Sequence, residues 1–339
     1  MHDSALGALS AGELSPLYRL YFWGIELIRQ IQTIESSPLT VVMKAITLIG
    51  SEAFYLPVLL FMFWCIDEKQ GIRLMFLFMI SAVINIFLKD FLKQPRPFTL
   101  DPTVGLAFEN SYGIPSGHAQ FSLTFWGFLA SWISANVPQR RRLIWVCAIG
   151  MMLLIAFTRL YLGVHFPTDL LAGWLLGVLA LTLYRVLGAR VDALLLRGGT
   201  RSRMISAAAL AMLTNALGVN VMLGGAMLGI GVGYALSLRH GRFSARSPRY
   251  AMLCVRFMLG IVGGGAIGLF LSLILPGKRS LFAALPLWGA GSPYHSLAEF
   301  VLAGALGLWM SFGAPWCFLR LHLAGAEAER TASDTAEPQ

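Results

Sequence analysis

Charged side chains are scarce in this sequence. Only 13% of its 339 residues are Asp, Glu, Lys or Arg, whereas 57% are hydrophobic. Soluble domains usually contain about 25% charged and about 45–50% apolar residues. The composition therefore excludes a disordered protein and an ordinary cytosolic enzyme, and it favours a protein that resides in a lipid bilayer.

Paired cysteines and closely spaced carboxylates are also lacking. The absence of any Cys-x-x-Cys pair excludes the common zinc motifs and a disulfide scaffold. No Asp-x-Asp motif is present, so we expect no metal and no other cofactor. The four cysteines lie in or beside apolar runs and are expected to be small buried residues: Cys65, Cys147, Cys254 and Cys317.

Basic residues outnumber acidic residues, 26 to 17, which gives a net charge of +9. In a soluble protein such an excess is typical of nucleic-acid binding. In a hydrophobic chain it is better explained by the Lys and Arg that accumulate in the cytoplasmic loops of membrane proteins. We therefore expect the bilayer, and no nucleic acid, as a partner of this chain.

Long apolar runs predict an all-α fold, a polytopic bundle of membrane helices. Five spans are expected within residues 39–190, at about 53–66, 72–88, 120–135, 143–157 and 170–187. About four further helices are expected within residues 204–323: a pair that turns near Asn215–Asn220, then spans at about 257–275 and 297–318. Glycines are frequent in this C-terminal region, which favours close helix packing.

The two ends of the chain differ from the apolar runs. Residues 1–38 are expected to form an N-terminal segment with an amphipathic helix at Leu17–Ile34, which lies in the membrane interface. No basic flank and apolar stretch precede this helix, so a cleavable signal peptide is not expected. The polar residues 324–339 predict a disordered tail.

Three basic loops indicate the orientation. They lie at residues 139–142, 190–203 and 239–249, and an even number of predicted spans separates them. If all three are cytoplasmic, the loops at 90–117 and 159–168 face the other side. We therefore expect a protein of the bacterial inner membrane whose most polar loops face outward.

Two polar clusters flank the loop at 90–117. Lys89 and Arg96 lie at the end of the second predicted span, where lysines commonly extend toward water. The second cluster is Pro115-Ser116-Gly117-His118, directly before the third span. Ser116 can cap a helix, and a helix N-terminus with exposed N–H groups binds anions, although plain capping would also explain this sequence.

A third polar cluster lies between the fourth and fifth predicted spans. It contains Arg159, His165 and Asp169, and Pro167 makes a continuous helix between the last two uncertain. A carboxylate beside an imidazole N–H fixes the tautomer and leaves the other nitrogen free to attack. An interfacial histidine next to an ordinary helix start is the structural alternative.

Together, the three clusters resemble the motifs of the type-2 phosphatidic acid phosphatase superfamily, which includes membrane lipid phosphatases and soluble vanadium haloperoxidases. The resemblance covers about residues 39–187 and departs from the usual pattern at Thr158, where the family usually has Ser. A soluble haloperoxidase is excluded by the spans. The matching residues are Lys89, Arg96, Pro97, Pro115, Ser116, Gly117, His118, Arg159, His165 and Asp169.

The resemblance implies metal-free hydrolysis of a phosphate ester through a phosphohistidine. His165 would be the nucleophile, Asp169 would orient it, and His118 would protonate the leaving alcohol and then activate water. The transferred phosphoryl group carries negative charge that must be stabilised. The residues expected to bind it are Lys89, Arg96, Ser116, Gly117 and Arg159.

The substrate implied is a membrane lipid phosphate. Phosphatidic acid, phosphatidylglycerol phosphate, a sphingoid phosphate and undecaprenyl diphosphate all fit a site at the ends of membrane helices. Two other hypotheses remain open: a phosphotransferase that uses the same histidine, and a lipid transporter or flippase with a vestigial phosphatase half. The C-terminal helices are candidates for a homodimer interface, a wall for the lipid tail or a translocating element.

Overall fold

The computed structural model of the chain consists of helices and the segments that connect them. It describes residues 16–240, 243–246, 249–277, 279–282, 284, 287–288 and 292–325. In chain order the helices are α1 (Pro16–Ile31), α2 (Ser37–Leu48), α3 (Glu52–Phe61), α4 (Glu68–Leu92), α5 (Pro97–Leu100), α6 (Gly117–Asn136), α7 (Arg141–Tyr161), α8 (Pro167–Arg197), α9 (Gly199–Ala216), α10 (Val221–His240), α11 (Tyr250–Ile274), α12 (His295–Leu308) and α13 (Ala314–Arg320).

The expected all-α membrane bundle is confirmed. Among the described residues, six helical segments are long and apolar enough to cross a bilayer, or seven if the bent pair α2–α3 counts as one span. The predicted helix pair within 204–238 is present as α9 and α10. The six segments are Glu68–Leu100, Pro138–Tyr161, Pro167–Leu195, Val221–His240, Tyr250–Ile274 and His295–Arg320.

Two of the predicted spans differ in the structure. The span expected at 53–66 consists of α3 and a π-helical turn, Met62–Ile66, and α3 is bent by 42° relative to α2. The span expected at 120–135 lies in α6, which is not among the six segments. The buried face of α6 includes Gln120, Ser122 and Thr124, and a helix enclosed by other helices need not be apolar all round.

The described chain forms two compact units. The first contains the N-terminal residues through Tyr55 together with Leu88–Thr182, and the second contains Leu56–Phe87 together with the residues from Leu183 onward. These units are discontinuous, whereas the domain boundaries expected from the sequence are continuous. The expected division into a phosphatase core at residues 39–190 and a C-terminal transmembrane region of unknown role at residues 204–323 stays a prediction.

In the first unit, α1 has one buried and one exposed apolar face. Tyr21, Ile25 and Ile28 pack with Val104 and Phe166 in a small core. The first turn and the other sides of the helix expose large apolar side chains, as an interfacial helix requires. They include Leu17, Tyr18, Leu20, Phe22 and Trp23. The predicted amphipathic helix is therefore present, and its place in the membrane interface stays a prediction.

In the second unit, glycines allow α10 and α12 to pack closely. A methyl group on Gly229 would overlap the carbonyl oxygen of Gly304, and one on Gly225 would overlap the carbonyl oxygen of Phe300. Small residues at such crossings bring helix backbones together in lipid. The prediction of close packing in this region is confirmed. These glycines make their close contacts with another helix of the same chain.

Three further expectations have different outcomes. Cys147 and Cys254 are exposed on helix surfaces, so the expectation that all four cysteines are buried is wrong. Both lie in apolar helices, where exposure to lipid costs a thiol little. The predicted absence of a signal peptide and most of the predicted disordered tail concern residues 1–15 and 326–339, which lie outside the described residues.

Candidate active site

The candidate site lies in the first unit, where four helix ends meet. The last turns of α4 and α7 supply Lys89 and Arg159, and the first turn of α8 supplies Asp169. The N-terminus of α6 begins after Ser116. The three polar clusters of the sequence are thus assembled by helices that begin or end at the same place.

His165 lies between α7 and α8 and is 1% exposed. Its Nδ1 lies 3.1 Å from Asp169 Oδ2, and its Nε2 lies 3.2 Å from Arg96 Nη1. A guanidinium can only donate, so Nε2 must accept, which places the ring proton on Nδ1 and directs it at Asp169. This tautomer leaves the Nε2 lone pair facing the Arg96 guanidinium.

The electrostatic surroundings keep His165 neutral. Burial is the largest cause that lowers the pKa of His165 well below 6.5. The neighbouring cations Arg96, Arg159 and Lys89 lower this pKa further, and His118 lies close enough to act in the same direction whenever its ring is protonated. A neutral imidazole retains the lone pair that a nucleophile needs.

The turn before His165 depends on Gly163. The last turn of α7 closes with hydrogen bonds from Gly163 N to Leu160 O and from Val164 N to Arg159 O. Gly163 has a φ of +66°, and a methyl group there would overlap the carbonyl oxygen of Val104. Only glycine accepts both constraints, so Gly163 directs the chain from α7 toward His165.

Asp169 has two partners that fix its carboxylate. Its Oδ2 accepts hydrogen bonds from Phe166 N at 3.0 Å and from His165 Nδ1. Its backbone oxygen accepts from Ser116 N at 3.0 Å, which joins the start of α8 to the N-cap of α6. Pro167 opens α8 and does not interrupt the pair, since His165 precedes the helix and Asp169 lies in its first turn.

The second cluster places His118 near the same position. Ser116 caps α6, with its Oγ 3.5 Å from Ala119 N, so the capping role expected for Ser116 is present. His118 lies in the first turn of α6, and its ring hydrogen-bonds to the backbone of Thr47. The free N–H groups of this first turn are the anion-binding feature expected from the sequence.

Arg96 is 2% exposed and is held by several acceptors. Its Nε donates to Ser111 O at 2.5 Å, and its Nη1 donates to Val164 O at 2.8 Å. Its Nη2 lies 2.7 Å from a carboxylate oxygen of Glu109. Two loops thus orient this guanidinium so that its remaining edge meets His165.

Lys89 and Arg159 complete a cationic cluster. Lys89 Nζ donates to Tyr112 O at 2.5 Å and to Gly113 O at 3.3 Å. Arg159 Nη1 donates to Thr47 Oγ1 at 2.7 Å, and its Nη2 pairs with Glu109. The Arg159 Nε is buried without a partner among the described residues, so one donor remains available for an incoming anion.

Three residues of the site were not predicted from the sequence. Glu109 pairs with both arginines, Ser111 orients Arg96, and Thr47 contacts Arg159. None belongs to a spacing pattern, and Thr47 lies more than 100 positions before its partner. Only two carboxylates, Asp101 and Glu109, lie between Arg96 and Arg159 in the sequence, and this is the one signal that could have drawn attention to Glu109.

The helix α1 contacts the loop that carries His165. The Tyr21 ring stacks on Phe166 with 4.9 Å between centroids. In the turn directly after α1, Gln32 Nε2 donates to Val104 O and to Tyr161 O at the end of α7. The predicted interfacial helix therefore packs directly against the segment that carries His165.

Comparison with known proteins finds two matching regions. The family model of the PAP2 superfamily matches residues 70–191, which include all three polar clusters. A second model, described as PAP2 superfamily phosphatase, transmembrane extension, matches residues 221–326.

Individual relatives share similar lengths of sequence. An undecaprenyl-diphosphatase of Sulfolobus acidocaldarius is 31% identical over 158 residues, 46% of this chain and 73% of that protein. A phosphatidylglycerophosphatase B of Bacillus subtilis is 29% identical over 145 residues, 41% of this chain and 70% of that protein. A solved transmembrane PAP2 type phosphatidylglycerolphosphate phosphatase of Bacillus subtilis is 25% identical, covers 53% of this chain and 90% of its own, and has a TM-score of 0.46.

Proposed function

This chain belongs to the PAP2 superfamily and is a membrane lipid phosphatase, and from this premise we propose that it releases phosphate through a phosphohistidine at His165. The observation that carries the proposal is the pair of contacts that the His165 ring makes with Asp169 and Arg96. Its Nδ1 proton is directed at Asp169, and its Nε2 lone pair faces a guanidinium that would hold a phosphoryl oxygen.

The first step forms a bond between His165 Nε2 and phosphorus. The bond from phosphorus to the lipid oxygen breaks, and that oxygen takes a proton from His118. The ring becomes a phosphorylated imidazole whose Nδ1 proton stays hydrogen-bonded to Asp169. Charge on the phosphoryl oxygens is stabilised by Lys89, Arg96 and Arg159 together with the N–H groups at the start of α6.

The second step uses water. His118 accepts a proton from the water as its oxygen attacks phosphorus, and the bond from phosphorus to Nε2 breaks. The electron pair of that bond returns to His165, which restores the neutral ring. No step requires a metal, because the three cations supply the stabilisation that Mg²⁺ provides in other phosphoryl transfers.

The substrate we propose is a phosphomonoester or diphosphate at the headgroup of a membrane lipid. Phosphatidylglycerol phosphate and undecaprenyl diphosphate are the first candidates, because the names of the two relatives refer to them. Phosphatidic acid and sphingoid phosphates have the same terminal phosphate. The exposed apolar face of α1 would lie among the lipid tails beside the site.

The test is a phosphate-release screen on the purified full chain in mixed micelles with these four lipids. We expect release from at least one lipid, no effect of EDTA, and loss of activity in His165→Ala. His240→Ala is the matched control, because His240 is exposed on α10 and hydrogen-bonds only within its own helix among the described contacts. Full activity of His165→Ala on every lipid would refute the mechanism.

The same assay separates the alternatives. A phosphotransferase would yield a phosphorylated acceptor lipid in place of free phosphate, which thin-layer chromatography of radiolabelled products would detect. A transporter with a vestigial phosphatase half would release no phosphate from any lipid although its helices remain folded.

A further inference from the structure

The two arginines proposed to bind phosphate already hold an anion, the side chain of Glu109. One carboxylate oxygen lies 2.7 Å from Arg96 Nη2, and the other pairs with Arg159 Nη2. The arginine side chains are 2% and 3% exposed, whereas that of Glu109 is 30% exposed. Glu109 therefore reaches from the partly exposed loop into a buried cationic site.

The position of this carboxylate coincides with the position that a reacting phosphate needs. Arg96 uses Nη1 to contact His165 Nε2 and Nη2 to contact Glu109, so the carboxylate and the nucleophile lie beside the same guanidinium. A phosphoryl group in line with Nε2 needs donors from that guanidinium and from Arg159. The donors of Arg96 and Arg159 cannot bind the Glu109 carboxylate and a phosphoryl group at the same time.

The loop that carries Glu109 is anchored on both sides but exposed in the middle. Asp101 pairs with Arg29, and Leu106 N donates to Leu162 O, while Gly113 N donates to Gln94 O. Between these anchors, Phe108 is 72% exposed. Ser111, two positions after Glu109, is held by Arg96, so Glu109 withdraws by rotation of its own partly exposed side chain and the loop keeps its anchors.

We propose that the Glu109 carboxylate is an intramolecular competitor of the substrate, which occupies the phosphate position in the free enzyme. A ligand binds only if its interaction with Arg96 and Arg159 is strong enough to displace this carboxylate. This inference rests on the proposed function. Two negative charges on a terminal phosphate interact more strongly with the cationic cluster than the single charge of a phosphodiester. Substrates with a terminal phosphate displace Glu109, whereas the phosphodiester lipids that surround the enzyme do not.

The proposal is tested by anion binding, which does not depend on turnover. Inorganic phosphate and dimethyl phosphate, a monoanionic diester, are titrated at pH 8 into the detergent-solubilised full chain by isothermal titration calorimetry. In Glu109→Gln we expect both ligands to bind more tightly, by at least about tenfold, since a charged competitor is lost. The two gains should be equal, because the same carboxylate is displaced in both cases.

Asp101→Asn is the matched control. It also removes a carboxylate from this loop, but the Asp101 carboxylate pairs with Arg29 and does not contact the arginines of the site. We expect its binding constants to equal those of the natural chain. Glu109→Gln should release phosphate more slowly in vesicles of a phosphodiester lipid than in micelles. In the vesicles, the phosphodiester headgroups of the bilayer compete with the substrate for the site.

Three results would overturn the proposal: unchanged affinities in Glu109→Gln, weaker binding of both anions, or a gain for phosphate alone. Weaker binding would show that Glu109 holds the arginines in place for the substrate. If Glu109→Gln does not fold, Glu109→Asp serves instead. We expect a smaller gain in affinity for both anions in this variant, and no gain in affinity would refute the proposal. A chain that binds the anions as expected but releases no phosphate would contradict the proposed function alone.

Discussion

At the scale of single residues, the site depends on one imidazole with a defined direction. Arg96 forces His165 Nε2 to accept, and Asp169 receives the Nδ1 proton. The sequence predicts the pair of His165 and Asp169 from their spacing, because a helix or a tight turn brings side chains four positions apart together. It does not predict the contact with Arg96, which lies 69 positions away.

Protonation of His165 is expected to oppose folding. The pKa of His165 is lowered in the folded chain, so the unfolded chain binds this proton first as the pH falls below about 6.5. The stability from neutral His165 is complete above that pH and declines below it, by about 1.4 kcal/mol per pH unit. Thermal unfolding in detergent between pH 7.5 and 5.5 measures this decline.

The control for this measurement is His165→Gln, which has no titratable ring. We expect its stability to fall less than that of the natural chain over the same pH range. An equal fall in both proteins would mean that His165 has an ordinary pKa when folded, which would contradict its burial among cations.

A second residue-scale prediction concerns Arg96→Lys. Lysine keeps the charge but cannot contact Ser111, Val164 and His165 at once, because it lacks the planar fork of donors. We expect kcat/KM for phosphate release to fall by about 100-fold or more. Arg29→Lys, at an exposed ion pair, should retain activity, and equal activity of the two variants would exclude the orienting role of Arg96.

The difference between predicted and unpredicted residues has a physical cause. Cations, histidines and prolines in polar loops between apolar runs stand out, since each is costly in a membrane. Glu109 and Thr47 are ordinary in their local context, and only the folded chain brings them to Arg159. Long-range partners of this kind leave no trace in one sequence.

At the scale of helices, close contact between α6 and α8 brings the two histidines to one place. A methyl group on Gly173 would lie 2.5 Å from the carbonyl oxygen of Ser116 and 3.0 Å from Ala119 Cβ. One turn further along, Gly177 faces Leu123 in the same way. Glycines at this spacing let the start of α8 approach the N-cap of α6.

We therefore expect Gly173→Leu to lower activity more than stability. The leucine would push Ser116 and His118 away from Asp169, and misplacement of reacting groups by about 1 Å costs about 100-fold in rate. Phosphate release measures the effect, and thermal unfolding measures any loss of the fold. The control is Gly150→Leu, because a methyl group at Gly150 meets no atom within 4 Å among the described residues beyond the neighbouring backbone of its own helix.

A large loss of activity in Gly150→Leu would show that bulk anywhere in the bundle disturbs the site. A Gly173→Leu variant with normal activity would show that contact between α6 and α8 does not set the distance between the histidines.

The sequence predicts long apolar helices well and bent ones poorly. The spans in α4, α7 and α8 follow from composition alone, because about 20 apolar residues are required to cross a bilayer. The bend between α2 and α3 follows from packing: a methyl group on Gly50 would lie 2.7 Å from Ile155 and 2.8 Å from His118. That close approach depends on α6 and α7, which local sequence does not specify.

At the scale of the whole molecule, the family matches cover two regions with different degrees of polarity. The match at 70–191 contains the three polar clusters, and the match at 221–326 is an apolar extension rich in glycine. Glycines of α10 pack against α12 within the chain, so they do not by themselves favour a homodimer. Dimerisation through the C-terminal helices stays a proposal that oligomeric state in detergent would test.

The charge of the loops predicts the orientation of the site in the membrane. The basic segment at residues 139–142 lies between the end of α6 and the start of α7, whereas the candidate site lies at the opposite ends of these two helices. Basic loops stay in the cytoplasm. The loop that carries Glu109 should therefore face the extracytoplasmic side, where lipid phosphates of the outer leaflet would be hydrolysed.

Cysteine labelling tests this orientation with a matched pair of variants. Asn110 and Gln139 are both exposed in the first unit, one beside the site and the other in the basic segment. With a membrane-impermeant maleimide on intact cells, we expect Asn110→Cys to be labelled at once and Gln139→Cys only after permeabilisation. The natural chain is the blank, because its exposed cysteines, Cys147 and Cys254, lie in apolar helices. Labelling of Gln139→Cys alone in intact cells would place the site in the cytoplasm, and the enzyme would then act on lipids of the inner leaflet.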